Sequence, residues 1–133
     1  MLFLCYKFEL FFFFPVIEVH GDANYFLENR SKVISVYINE CMCATGVNNV
    51  MVQKWRDRGE FTNDPCFKCF VRCVAIKVGF VDSMGSFSCN TMIKKLEVTP
   101  EIVNKCVGDN NKVVDLCEQV YKIEFCIVNA MCK

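Results

Sequence analysis

The stretch "DPCFKCFVRC", residues 64–73, places three cysteines within eight positions: Cys66, Cys69 and Cys73, spaced i, i+3, i+7. The two residues in front of them set the local structure. Asp64 followed by Pro65 is a helix start, an Asp cap with proline at the first helical position. The helix it opens is expected to run to Gly79, with Cys66, Cys69, Phe70, Cys73 and Val74 as its apolar stripe. Three cysteines on one helical face pair poorly with one another, because a disulfide needs particular Cβ directions, but each can reach a different neighbour. A structural zinc site would need a second ligand pair, and Cys66-x2-Cys69 is the only C-x2-C in the chain. A redox dithiol belongs where a strand meets a helix, and no segment alternates as a strand does. Disulfides are the reading that composition favours.

The same helical period, 3.6 residues, recurs outward from that stretch. Residues 23–41 carry Phe26, Val33, Ile34, Tyr37, Ile38 and Cys41 on one face, with Asp22 as the cap and Gly46 as the stop. Asn48 or Asn49 caps a short helix through Trp55 that ends at Gly59. Residues 81–86, "VDSMGS", read as a turn before a helix over about 88–96. Thr99-Pro100 repeats the cap-and-proline start of a helix that ends near Gly108. The last helix is expected from about 112 to 131, with Val113, Leu116, Cys117, Val120, Tyr121, Ile123 and Cys126 on its apolar face. The expectation is an all-α fold of six short helices.

Composition bounds the function. At 133 residues the chain is one domain at most. Fifteen basic and fifteen acidic residues cancel and form no basic block, so nucleic acid and membrane surfaces are not expected partners. The "KK" at 94–95 and "RDR" at 56–58 read as solvated faces. The N-terminus pairs Lys7 with an apolar run from Leu10 to Ile17, and Val19 and Gly21 suit a signal-peptidase site. The run is too short to span a bilayer, which takes about 20 apolar residues. Residues 1–21 are therefore expected to be a signal peptide and residues 22–133 the domain. Glu9 and Pro15 fit a signal poorly, and a buried N-terminal helix is the alternative. Removing residues 1–21 takes away Cys5 and leaves ten of the eleven cysteines, an even count typical of secreted disulfide scaffolds. It also removes His20, the one histidine. A mature chain without histidine builds neither Ser-His-Asp nor Cys-His catalysis, nor a mixed Cys/His zinc site. No enzyme, no metal and no cofactor are expected. Asn29-Arg30-Ser31 is a glycosylation sequon inside an expected helix, and is read as unused.

The cysteine spacing is more specific. Between Cys41, Cys69, Cys73, Cys106, Cys117 and Cys126 lie 27, 3, 32, 10 and 8 residues. This spacing resembles the six-cysteine signature of the insect odorant-binding proteins, the pheromone-binding and general odorant-binding group. The flanking words "CMCATGV", "RGEFTNDPCFKCFVRC", "VGFVDSMGSF" and "CEQVYKIEFC" resemble that family too. The resemblance covers residues 22–133. It implies a compact six-helix, disulfide-braced fold around an apolar cavity, with bonds Cys41–Cys73, Cys69–Cys117 and Cys106–Cys126. Cys43, Cys66, Cys89 and Cys132 depart from the pattern. Two further bonds, Cys89–Cys132 and Cys43–Cys66, are the simplest reading, although Cys66 lies two helical turns, about 10 Å, from Cys73. A pocket of about 300 Å³ costs on the order of 7 kcal/mol, and three disulfides at about 2–4 kcal/mol each offset a cost of that size.

By resemblance the pocket walls fall on Trp55, Ala75, Phe80, Val103, Ile123 and Ile127. Met84, Phe87, Met92, Leu96 and Tyr121 join them on apolar character, Tyr121 with a hydroxyl for a ligand oxygen. The function implied is a secreted, extracellular carrier for a small hydrophobic odorant or pheromone, with an olfactory receptor and a homodimer as further partners. The alternatives are a carrier in venom, saliva or reproductive fluid, or a disulfide-rich defence protein. The last would be strongly cationic, whereas residues 22–133 hold fourteen basic and thirteen acidic residues. With no histidine and a C-terminus stapled by Cys89–Cys132, ligand affinity is expected to change little between pH 7 and 5.

Overall fold

The computed structural model describes residues 15–133, and the side chains from residue 23 onward. Seven helices follow in order: α1 Pro15–Ser35, α2 Ile38–Thr45, α3 Asn49–Arg58, α4 Pro65–Val78, α5 Cys89–Leu96, α6 Pro100–Asp109 and α7 Leu116–Met131. Among the described residues the only extended pairing is an isolated bridge between Val81 and Phe87. The signal-peptide expectation falls largely on residues 1–14, outside the described residues. The first described helix opens at Pro15, so Asp22 lies inside it and is not its cap.

The chemistry of the helix ends explains most boundaries. Asp64 Oδ2 accepts from the Phe67 amide at 2.9 Å, and Thr99 Oγ1 accepts from Ile102 N at 3.4 Å, each ahead of a proline at the first helical position. Asn48 caps α3 by accepting from the amides of Val50 and Met51. At the other end of α3 stands Gly59, at φ 69°, where a Cβ would sit 2.9 Å from Val128 Cγ1. Both the left-handed backbone and the close approach of α7 require glycine there.

Two boundaries differ from the sequence expectation. The first helix is two helices, because the chain breaks at Val36 and Tyr37. Ser35 Oγ bonds back to the Ser31 carbonyl at 2.5 Å, a contact that weakens the last turn, and the Tyr37 amide turns to Ile34 O at 3.2 Å. The last helix starts at Leu116 and not at 112. Asp115 Oδ1 caps it by accepting from Glu118 N at 2.9 Å, and the acid three residues on from the cap marks the start. Val113 stays outside the helix, and its neighbour Val114 is exposed.

α4 is the centre of the packing, with α2 and α7 lying against it, while α5 lies against α1 and α6. Its buried face is Phe67, Phe70, Val71, Val74, Ala75 and Val78. The cysteine stripe therefore sits at the rim of that face: Cys66 is exposed, and Cys69 and Cys73 reach sideways into bonds. Cys41–Cys73 ties α2 to α4, Cys69–Cys117 ties α4 to α7, and Cys106–Cys126 ties α6 to α7. The α4–α7 seam carries a second link beside its disulfide. Lys68 Nζ lies 2.6 Å from Glu118 Oε1 and 4.9 Å from the centre of the Tyr121 ring.

The two further disulfides expected from the sequence do not form. Cys43, Cys66 and Cys89 carry free thiols. Cys43 follows Cys41 by two residues, which turns it to the opposite side of α2, and Cys66 stands two turns from the Cys41–Cys73 bridge. Cys89 opens α5, whereas it is Leu96, at the other end of that helix, that shares a cavity wall with α7. Seven residues of helix, about 10 Å, separate those ends. The C-terminus is helical to Met131, and no Cys89 bond holds it.

Candidate functional site

Among the described residues the interior has two contrasting parts. The first is aromatic. Trp55 of α3 meets Phe67 and Phe70 of α4 edge-on, with ring centroids 6.2 and 5.2 Å apart. Phe61 carries the cluster outward to Phe67, Tyr121 and Phe125. Trp55, Phe67 and Phe70 are fully buried, and rings packed edge-to-face fill space densely.

The second part is a cavity between α1, α5, α7 and Phe80. Ile34, Phe80, Leu96, Ile127 and Val128 form its apolar walls, and Arg30 and Glu124 complete them. Its volume is about 10 Å³, room for one water molecule, and far below the roughly 300 Å³ of an open small-molecule site.

Arg30 is 2% exposed. Its Nη1 donates to the Trp55 carbonyl at 3.0 Å, and its guanidinium lies 4.8 Å from the centre of the Trp55 indole. The cation thus sits at the C-terminal end of α3, where the helix dipole favours it, and over an aromatic face that attracts it. Its Nη2 is buried with no hydrogen-bond partner. Burial pulls the guanidinium pKa below its usual value, against the opposing fields of Glu124 and Cys132. Burial pushes the Glu124 carboxyl up to about 7, although the Arg30 charge pulls the other way. Near neutral pH, Glu124 is therefore a carboxyl poised between its two forms.

The structure distributes the eleven expected lining residues among several places. Phe80, Leu96 and Ile127 reach the cavity wall. Ala75, Met92, Val103 and Ile123 are buried in the core, and Trp55 is in the aromatic cluster. Tyr121 belongs to the same cluster, half-buried, with its hydroxyl pKa raised by burial. Phe87 is half-buried and bridges to Val81 across the turn. Met84 is a correction. It is 84% exposed at the tip of that turn, where Asp82 Oδ1 accepts from the amides of Met84 and Ser86 and holds the loop outward. Lys95 is a second correction, because its Nζ caps α4 through the Val78 carbonyl at 2.9 Å and so is not simply solvated. Asn29 of the sequon donates to the Lys95 carbonyl at 2.9 Å.

Arg30 and Glu124 were missed, yet both were legible. Arg30 lies four residues from Phe26 and four from Ile34, in the middle of the α1 apolar stripe. Glu124 lies between Val120 and Val128 on α7 in the same way. A charged side chain at a core position of a helical period faces inward.

Residues 23–130 match the PBP/GOBP family. The chain belongs to that family. It is a family of small-molecule carriers and not of enzymes, and its all-helical, disulfide-bonded fold is the one seen here. Among relatives, the chain is 25% identical over 116 residues to "General odorant-binding protein 99a" of Drosophila melanogaster, covering 81% of this chain and 80% of that one. No solved structure matches the chain. Among the described residues no helix is long and apolar enough to cross a membrane.

Proposed function

We propose that this PBP/GOBP chain is a secreted carrier for a small hydrophobic molecule, an odorant or pheromone. The observation that supports this most is the cavity wall of Ile34, Phe80, Leu96, Ile127 and Val128, set inside the three-disulfide frame of an odorant-binding family. Residues 1–21 act as a signal peptide, and residues 22–133 are the working domain. Three disulfides agree with an oxidising, extracellular setting. An olfactory receptor and a second copy of the chain are further partners of this reading.

A cavity of about 10 Å³ does not admit such a ligand without movement. Binding therefore proceeds by parting the walls, and Leu96 and Val128 stand on separate helices that can do so. The disulfides leave that motion open, because none of them joins α5 to another helix. The test is displacement of an environment-sensitive fluorophore from the purified domain. Micromolar binding, about −8 kcal/mol, displaced by medium-chain alcohols, esters or acids, is the expected result. Failure of every apolar competitor on a protein shown to be folded refutes the reading.

A further inference from the structure

The cavity wall carries a feature that a container for purely apolar molecules does not need. Arg30 is buried at 2% exposure, uses Nη1 on the Trp55 carbonyl, and leaves Nη2 without a partner. A buried cationic N–H without an acceptor is costly, more so than a neutral one. Glu124 lines the same cavity from α7. The remaining walls are aliphatic or aromatic. The cavity lining thus holds a charged donor and a carboxyl, and otherwise only apolar side chains.

We propose that this site, on the carrier reading above, selects an aliphatic monocarboxylic acid whose carboxylate is held by Arg30 Nη2 and by the Glu124 carboxyl. The carboxylate supplies the acceptor that Nη2 lacks, in a charge-assisted hydrogen bond of the kind that is strongest out of water. Glu124 competes weakly for Arg30, because its burial favours the protonated form up to about pH 7. Protonated, it donates an O–H to the ligand and adds no second negative charge. The aliphatic tail runs between Leu96 and Val128. Cys132, whose field also reaches Arg30, lies beyond the C-terminal end of α7 and does not line the cavity. Neutral ligands of the same length gain the apolar contacts but leave Nη2 with a weaker acceptor.

The test compares decanoic acid, decanol and methyl decanoate as competitors for one fluorescent probe at pH 7, on the wild-type domain, Arg30→Gln and Glu124→Gln. The glutamine in Arg30→Gln still carries an amide donor for the Trp55 carbonyl and removes the charge. Wild type is expected to bind the acid at least tenfold more tightly than the alcohol or the ester. Arg30→Gln is expected to erase that preference, and Glu124→Gln, whose side-chain amide still donates toward the ligand, to reduce it by less than Arg30→Gln does. Where Arg30→Gln does not fold, NMR of carboxyl-13C decanoate on the wild-type protein takes its place, with the labelled carbon expected within contact of the Arg30 guanidinium protons. Equal binding of acid and alcohol by wild type overturns the proposal and leaves the carrier reading intact. So does an acid preference that survives Arg30→Gln, or a labelled carboxyl remote from Arg30. Binding of none of the three overturns both.

Discussion

The two halves of the interior treat space differently. Trp55 meets Phe67 and Phe70 edge-on, and all three side chains are out of water. Around Arg30 and Glu124, α1 and α7 leave a small void and face it with two ionisable groups. The first arrangement is what a stable core requires. The second costs stability, since burial pushes the Glu124 carboxyl up to about 7 even against the pull of the Arg30 charge. Aromatic packing holds the fold, and the polar cavity is sustained by it. A chain of this size can carry one costly site because the rest of its core is filled and braced by three disulfides.

The sharpest way to break this contrast is Phe70→Ala. Removing a fully buried ring is expected to cost about 3–5 kcal/mol, read as a loss in denaturant midpoint, with the order of ligand preference unchanged in whatever protein remains folded. A small loss would show that the aromatic half is not the anchor.

Glu124 gives the next largest effect and works on the other half. Its folded pKa, about 7, is raised from an ordinary carboxylate value near 4.5. Between those pH values the folded state holds a proton that the unfolded state has released. This contribution therefore favours folding at low pH and is lost as pH rises from about 4.5 to 7. The loss amounts to about 3 kcal/mol by linkage. Unfolding measured across that range should show the fall in wild type and not in Glu124→Gln. Parallel curves for the two proteins would mean that Glu124 is hydrated in solution and that the two halves differ less than the structure implies.

Gly59→Ala probes the seam between the halves. Gly59 ends α3 beside the aromatic cluster, and a side chain there would meet Val128 of the cavity wall. A left-handed alanine with its Cβ 2.9 Å from Val128 Cγ1 is expected to cost about 2 kcal/mol, seen as a lower Tm. Because Val128 must shift, probe binding should change as well. Unaltered binding in a destabilised protein would separate the cavity from the α3 terminus.

Met84→Ser marks the lower bound. With the side chain 84% exposed, stability should move by less than about 0.5 kcal/mol and ligand affinity not at all. A clear loss of affinity would bring the 81–86 turn into the site and redraw the boundary of the cavity half.

How much of this was legible beforehand depends on the range of the interaction. Asp64-Pro65, Thr99-Pro100, Asn48, Gly46, Gly59 and Gly79 announced helix ends, because capping acts over three or four residues and is written locally. The break at Val36–Tyr37 and the start of α7 at Leu116 were misread for a related reason. The first depends on Ser35 turning back on its own helix, and the second on Asp115 and Glu118 outweighing an apolar period that continues through Val113. The cavity was only partly legible. Phe80, Leu96 and Ile127 were read as walls, but Met84 has the same apolar character and stands in solvent.

By itself, then, the sequence determined the all-α class, the helix-terminating residues and, through cysteine spacing, the family whose frame the chain adopts. Those are properties of period, local hydrogen bonding and chain register. Only the tertiary structure decided which face of α4 is buried, that Cys43, Cys66 and Cys89 stay out of disulfides, and that Arg30 and Glu124 share one cavity. Each of these depends on the rotation and offset of helices far apart in the chain. Those are fixed by how large side chains such as Trp55, Phe67 and Phe70 interlock, and no local pattern records that.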